Sequence, residues 1–139
     1  MQMNPYIMFN GQCEAAFKFY EKHLGAKIVF MLTHANSPAA EHTPRDRQDK
    51  ILHGRIIIDG QVLMGSDAPP ERYDKPKGFF ISLGVTKTEE AERLYKALSE
   101  KAEIIMPLEE TFWAHRFAML VDQFGIPWMI NCEKEGAAS

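Results

Sequence analysis

The feature that most constrains this chain is an order of elements that occurs twice. Residues 12–24 carry Cys13, Ala16, Phe17, Tyr20 and Leu24 at spacings of three and four, one apolar stripe along a helix. Gly25 follows, where a glycine can close a helix in the left-handed conformation. A second stripe, Ala91, Leu94, Tyr95 and Leu98, runs from a capping-box pattern at Thr86-Lys87-Thr88-Glu89 to about Glu100. The remaining apolar segments alternate or are short, and read as strands over 6–10, 27–33, 52–59, 61–66, 79–85, 103–108, 116–122 and 128–132. Asp59-Gly60, between two of them, is a two-residue hairpin signal. The result is strand, helix, three strands, and then the same again.

A sparse internal repeat accompanies this order. Setting Phe19-Tyr20 over Leu94-Tyr95 also aligns Glu14 with Glu89 and Ala16 with Ala91. With small insertions, Asp59 falls over Asp122 and Met64 over Met129. The expected organisation is a single domain over 1–139, with module one at about 1–68 and module two at about 78–133. Between them, 69–77 is a proline-rich, charged linker that cannot join a central strand, and 134–139 is a tail. The polar stretch His34–Lys50 is long enough for a lid or a mobile loop, and the sequence leaves both open.

Composition narrows the function classes. At 139 residues, 45% hydrophobic and 25% charged, the chain has the size and balance of one globular domain. A net charge of −3 argues against a phosphate-tracking surface, so no nucleic-acid partner is expected. No apolar run reaches the ~20 residues that span a bilayer, and no export segment is evident, so no membrane partner is expected. Two cysteines, Cys13 and Cys132, make neither a disulfide framework nor a four-thiolate zinc site. The cytoplasm is the expected location.

The residues also carry a resemblance. Phe9-Asn10-Gly11-Gln12-Cys13-Glu14-Ala15-Ala16-Phe17-Lys18-Phe19-Tyr20, His53 through Asp67, Pro107 through Trp113, and Asp122 through Asn131 resemble the vicinal oxygen chelate superfamily, which includes glyoxalases, extradiol dioxygenases and bleomycin- and fosfomycin-resistance proteins. The closer resemblance is to its PhnB-like branch, often catalogued as a demethylubiquinone methyltransferase. Ala114 and Ala118 stand where relatives commonly have glycine. The resemblance implies an α+β glyoxalase/bleomycin-resistance fold, two tandem βαβββ modules forming a curved mixed sheet around a cleft. It also implies a homodimer.

Metal-dependent members of that superfamily take one His, Glu or Gln ligand from each of four strands, leaving open positions for two substrate oxygens. Carried over by the repeat, those positions are Pro5, Met64, Phe80 and Met129. Proline and phenylalanine side chains offer no donor, and thioether sulfur is a poor match for a hard oxygen-chelating ion. No metal and no cofactor are therefore expected. Of the five histidines, His53 opens a strand whose alternate residues face the cleft, and either a polar role or ligand contact suits it.

Metal-free catalysis finds little support. Cys13 sits at a helix start but also on its apolar stripe, which favours an inert, buried thiol. Glu109-Glu110 reads as a solvated turn, since adjacent strand residues point apart. No glycine-rich strand-to-helix turn for a nucleotide-like cofactor occurs, so the residues do not support a methyltransferase. Enzymatic activity is left open.

Strand alternation pairs Met64 with Ser66, Phe80 with Ser82, and Met129 with Asn131, so each apolar former ligand position has a small polar neighbour. Trp113 is placed at the rim and Arg116 as the cation of the cleft. Plain core packing is the competing reading of these methionines and aromatics. The expected partner is a small, partly apolar molecule of unassigned identity. The alternative is a metal-dependent lyase, isomerase or dioxygenase with ligands relocated to His53 and loop residues.

Overall fold

The structure, a computed structural model, describes residues 1–134. All of the predicted tail except Lys134 therefore lies outside the described residues. The chain divides into two compact units, Met1–Asp74 and Lys75–Ser139. The fold is α+β, with one four-stranded mixed sheet and one helix in each of two tandem βαβββ modules.

In the first unit, β1 (Tyr6–Phe9), α1 (Cys13–Leu24), β2 (Lys27–Thr33), β3 (Ile51–Ile58) and β4 (Gln61–Asp67) follow in order. The sheet runs β1-β4-β3-β2, with β1 parallel to β4 and the other pairs antiparallel. Asp59 and Gly60 turn the β3–β4 hairpin with φ of 47° and 76°, the positive pair that the sequence signal requires. Gly25 closes α1 at φ 70°, its N–H donating to the Tyr20 carbonyl.

The stripe of α1 is buried in full, with Cys13, Ala16, Phe17 and Tyr20 at 0% exposure, against Ile7, Phe9, Ile56 and Leu63 of the sheet. Phe17 can come this close because Gly54 and Gly65 are cross-strand partners beneath it. A Cβ on Gly65 would stand 2.9 Å from the Ile7 carbonyl oxygen and 3.0 Å from Phe17 and Phe9 ring carbons. Phe9 meets Phe17 edge-on at 5.7 Å.

The start of α1 is held by a residue distant in sequence. Buried Asp67 accepts from the Cys13 N–H and the Ile51 N–H, both at 2.8 Å. One carboxylate thus satisfies a helix N-terminal donor and joins the helix to two strands. The stretch His34–Lys50 is folded into two short 3-10 turns, Pro38–His42 and Arg45–Arg47. Gln48 Nε2 donates to the Ala40 and Thr43 carbonyls, and Lys50 Nζ to the Gly11 carbonyl.

The second unit repeats the plan with β5 (Ile81–Gly84), α2 (Thr88–Leu98), β6 (Glu103–Glu109), β7 (Ala114–Val121) and β8 (Pro127–Glu133), the sheet running β5-β8-β7-β6. The expected capping box at Thr86–Glu89 does not form. Lys87 occupies the cap in an extended conformation, and no side chain bonds the helix end. The helix survives through its buried stripe, Ala91, Leu94 and Leu98. Buried Asp122 organises the β7–β8 turn, accepting from the Phe124 N–H, the Ile126 N–H and the Trp128 Nε1–H at 2.9, 3.0 and 2.8 Å.

Two outcomes follow. Gly65→Ala is expected to lower stability by about 1–3 kcal/mol, as overpacking of a well-filled contact does, whereas Gly60→Asn is expected to be nearly neutral; urea unfolding of both variants measures the contrast. The second concerns pH. Burial first, then the nearby Asp67 and Glu14 charges, push the Cys13 thiol well above its ordinary 9.0. The folded chain therefore holds this proton when the unfolded chain has released it. Stability is unaffected below pH ~9 and falls as pH rises beyond it, by at most ~1.4 kcal/mol per unit. Cys13→Ala should flatten that slope in unfolding curves taken between neutral and strongly alkaline pH.

Candidate functional site

Each helix covers one face of its own sheet, so the other face carries the side chains of alternate residues with no described helix of the same unit over them. In the first unit, cross-strand register places Tyr6, Met64, Arg55 and Phe30 in one row across β1, β4, β3 and β2. His53, two residues before Arg55, lies on the same face. Its ring stacks on Tyr6 at 5.6 Å and 12°, and Tyr6 Oη and His53 Nδ1 are hydrogen-bonded at 3.1 Å. Phe30 also meets His53, tilted, at 5.2 Å between ring centroids. The Arg55 guanidinium carbon lies 5.8 Å from the Phe30 ring centre, and Arg55 Nη2 is 3.7 Å from Met64 Sδ. Ser66, buried, donates to Met8 Sδ at 3.4 Å. Tyr6, Met8 and Phe30 remain 45%, 43% and 39% exposed, a large apolar share for one sheet face.

In the second unit the corresponding row reads Ser82, Met129, Met119 and Met106 across β5, β8, β7 and β6. Three thioethers thus lie side by side, half-buried. A hollow of about 370 Å3 lies at one end of this unit, lined by Phe80, Ile105, Val121 and Pro127 among others. Another, of about 570 Å3, is lined by Gly84, Val85, Thr86, His115, Asn131 and Glu133. Asn131 Nδ2 donates to Glu133 Oε1 at 3.1 Å, while its buried Oδ1 accepts no hydrogen bond among the described residues. Trp113 meets Phe117, the cross-strand neighbour of Asn131, edge-on at 5.2 Å.

His53, Met64 and Ser66 therefore share one face of the first unit, and Ser82, Met129 and Asn131 share one of the second, with Phe80 and Trp113 beside them. Two placements need correction. Pro5 precedes β1, and the residue in register with Met64 is Tyr6. In the second unit Met129 pairs with Ser82, and Phe80 lies just before β5. The two registers coincide when Tyr6 is set over Ser82, one residue from the pairing that aligned Pro5 with Phe80. Arg116 is not with the open-face residues. It is the cross-strand partner of buried Cys132, and its Nε pairs with Glu92 of α2 at 3.5 Å. Alternation along β7 puts Arg116 on the same face as buried Ala118 and Leu120, the face that α2 covers, opposite to Met119.

By strand register, the four positions that the resemblance implies for metal ligands are Tyr6, Met64, Ser82 and Met129. A phenol, a hydroxyl and two thioethers do not fit a site that chelates through oxygen and imidazole donors. Among the described residues no group of three or more His, Cys, Asp or Glu side chains is arranged to hold a metal ion. The acidic pair separates as the sequence implied. Glu109 lies on β6, and exposed Glu110 accepts a 3.1 Å ion-pair contact from Lys134, which holds its carboxyl below the usual range.

Tyr6, Phe30, Arg55 and Met119 were missed in the sequence. Extending the alternation of His53 along its own strand reaches Arg55. Placing Tyr6 and Phe30 beside it requires the register of strands far apart in sequence.

Comparisons agree with this architecture. A family profile described as the Glyoxalase/Bleomycin resistance protein/Dioxygenase superfamily matches residues 2–130. Protein YjdN of Escherichia coli (strain K12) is 35% identical over 143 residues, 97% of each chain. The crystal structure of protein PA1353 from Pseudomonas aeruginosa is 45% identical with a TM-score of 0.88, covering 97% of this chain and 99% of that one. A PhnB protein from Bacillus cereus shares the fold, with a TM-score of 0.81 at 20% identity over 94% of this chain and 98% of that one. Among the described residues, no helix is long and apolar enough to cross a membrane. With two βαβββ modules in matching strand order and a profile match over nearly its whole length, the chain belongs to the glyoxalase/bleomycin resistance protein/dioxygenase superfamily.

Proposed function

We propose that this protein binds a small, partly apolar organic molecule without a metal, on a helix-free sheet face, and works as a homodimer. The observation that carries the reading is the content of the two central rows. Tyr6, Met64 and Phe30 in one, and Met129, Met119 and Met106 in the other, offer polarisable, adaptable surface where a metal enzyme of this family needs hard donors. Half-exposed aromatics and thioethers with a few polar groups between them, His53, Ser66 and Asn131, match the make-up of ligand sites. Seating one aromatic-sized group on such a surface contributes about 1.5–3 kcal/mol.

A relocated metal centre at His53 is the less favoured reading. His53 Nδ1 is engaged by Tyr6, and its ring neighbours Tyr6 and Phe30 bring no carboxylate or second imidazole.

A thermal-shift screen of small aromatic and aliphatic molecules is expected to give hits that Met64→Glu or Met129→Glu removes while leaving the unliganded melting temperature within a few degrees. A screen with no hits would favour a purely scaffolding role. Zn, Mn, Ni and Fe(II) are expected to leave the melting temperature of chelator-free protein unchanged. Clear stabilisation by one of them, lost in His53→Ala, would establish the metal-dependent reading instead. Light scattering on the eluting protein should return twice the chain mass.

A further inference from the structure

Arg55 is the one charged residue in the central row of the first unit, and its surroundings are unusual for a guanidinium. It is half-buried on the open face between an aromatic ring, Phe30, and a thioether, Met64. Among the described residues no carboxylate pairs with it. Among these residues its buried Nε has no acceptor, and its Nη2 donates only to sulfur, a weak acceptor. A buried donor without a partner gives up its hydrogen bond to water for nothing, and the loss is greater when it belongs to a charged group. Most arginines avoid that cost by pairing, as Arg116 does with Glu92 in this same chain.

We propose that Arg55 anchors an oxyanion carried by the small molecule, a carboxylate or phosphate group, with the apolar part of that molecule lying along Tyr6, His53 and Phe30. The guanidinium fork presents parallel N–H donors that match two oxygens of one anion. Phe30 holds the guanidinium from one side through its ring face, which limits the rotamers the fork must lose on binding. His53, its Nδ1 engaged by Tyr6, supplies a stacked surface beside the fork. The inference rests on reading this face as a small-molecule site, and it narrows the ligand to an anionic amphiphile.

The test uses the whole chain and three probes of similar shape: benzoate, phenyl phosphate and neutral benzamide. Titrations are followed by proton–nitrogen NMR, which resolves arginine Nε–H groups as well as backbone amides. Benzoate or phenyl phosphate is expected to move the Arg55 Nε–H signal together with amides around Tyr6, His53 and Met64. Benzamide should bind the same face at least tenfold more weakly, the loss of a charge-assisted contact. The preference between the two anions assigns a planar or a tetrahedral group. Arg55→Met, close in length and apolar, should erase the preference for anions, bringing benzoate affinity down to that of benzamide. Arg55→Lys, which keeps charge without the fork, should retain only part of it and guards against a folding defect in the first variant. Equal affinity for benzamide and benzoate, or benzoate binding unchanged in Arg55→Met, would overturn the anchor and leave the broader reading standing. If none of the three probes perturbs this face, the small-molecule reading fails there and the anchor with it.

Discussion

Both halves of the molecule depend on covering one face of a four-stranded sheet with a single helix. A helix is about 10 Å across, so it reaches one face only, and it must approach closely to exclude water. In the first unit that approach is set by Phe17, seated over the paired glycines Gly54 and Gly65. With the aromatic ring in contact with backbone, the alternation of every strand is assigned. Ile7, Phe9, Ile56 and Leu63 turn inward, and Tyr6, Met64, Arg55 and His53 turn outward. A slip of one residue in any strand would exchange the two sets.

Two buried carboxylates reinforce this arrangement in different ways. Asp67 connects the end of β4 to the start of α1 and of β3, binding segments more than fifty residues apart. Asp122 acts locally, closing the turn between β7 and β8 and holding the Trp128 indole. The halves share a topology but not the means of securing it, which explains why so few identities survive between the repeats. Selection for element order tolerates different side chains wherever another set of donors and acceptors closes the same hydrogen bonds.

The open faces diverge further. The Tyr6–Met64–Arg55–Phe30 row mixes aromatic rings, sulfur and a cation, while the Ser82–Met129–Met119–Met106 row is a band of thioethers beside a hydroxyl. Divergence at corresponding positions is what a duplicated scaffold permits where the two units share strand order rather than side chains. Methionine tolerates this because its flexible chain fills irregular space without a polar atom that demands a partner.

The sequence by itself determined the helices, the hairpin at Asp59-Gly60 and the tandem order of elements. These are local properties, set by side-chain periodicity and by the positive φ of a turn. The failed capping box at Thr86 marks the edge of that power, since a pattern of residue types does not oblige the bond to form. Only the tertiary structure decided that Tyr6, rather than Pro5, stands beside Met64, that Arg116 turns to Glu92, and that Arg55 lies on the open face without a carboxylate. Parallel pairing of β1 with β4 joins residues nearly sixty apart, and the face that Arg116 takes depends on which side of β7 is covered by α2. Neither leaves a mark in the neighbouring sequence, because both are settled by which face the helix covers.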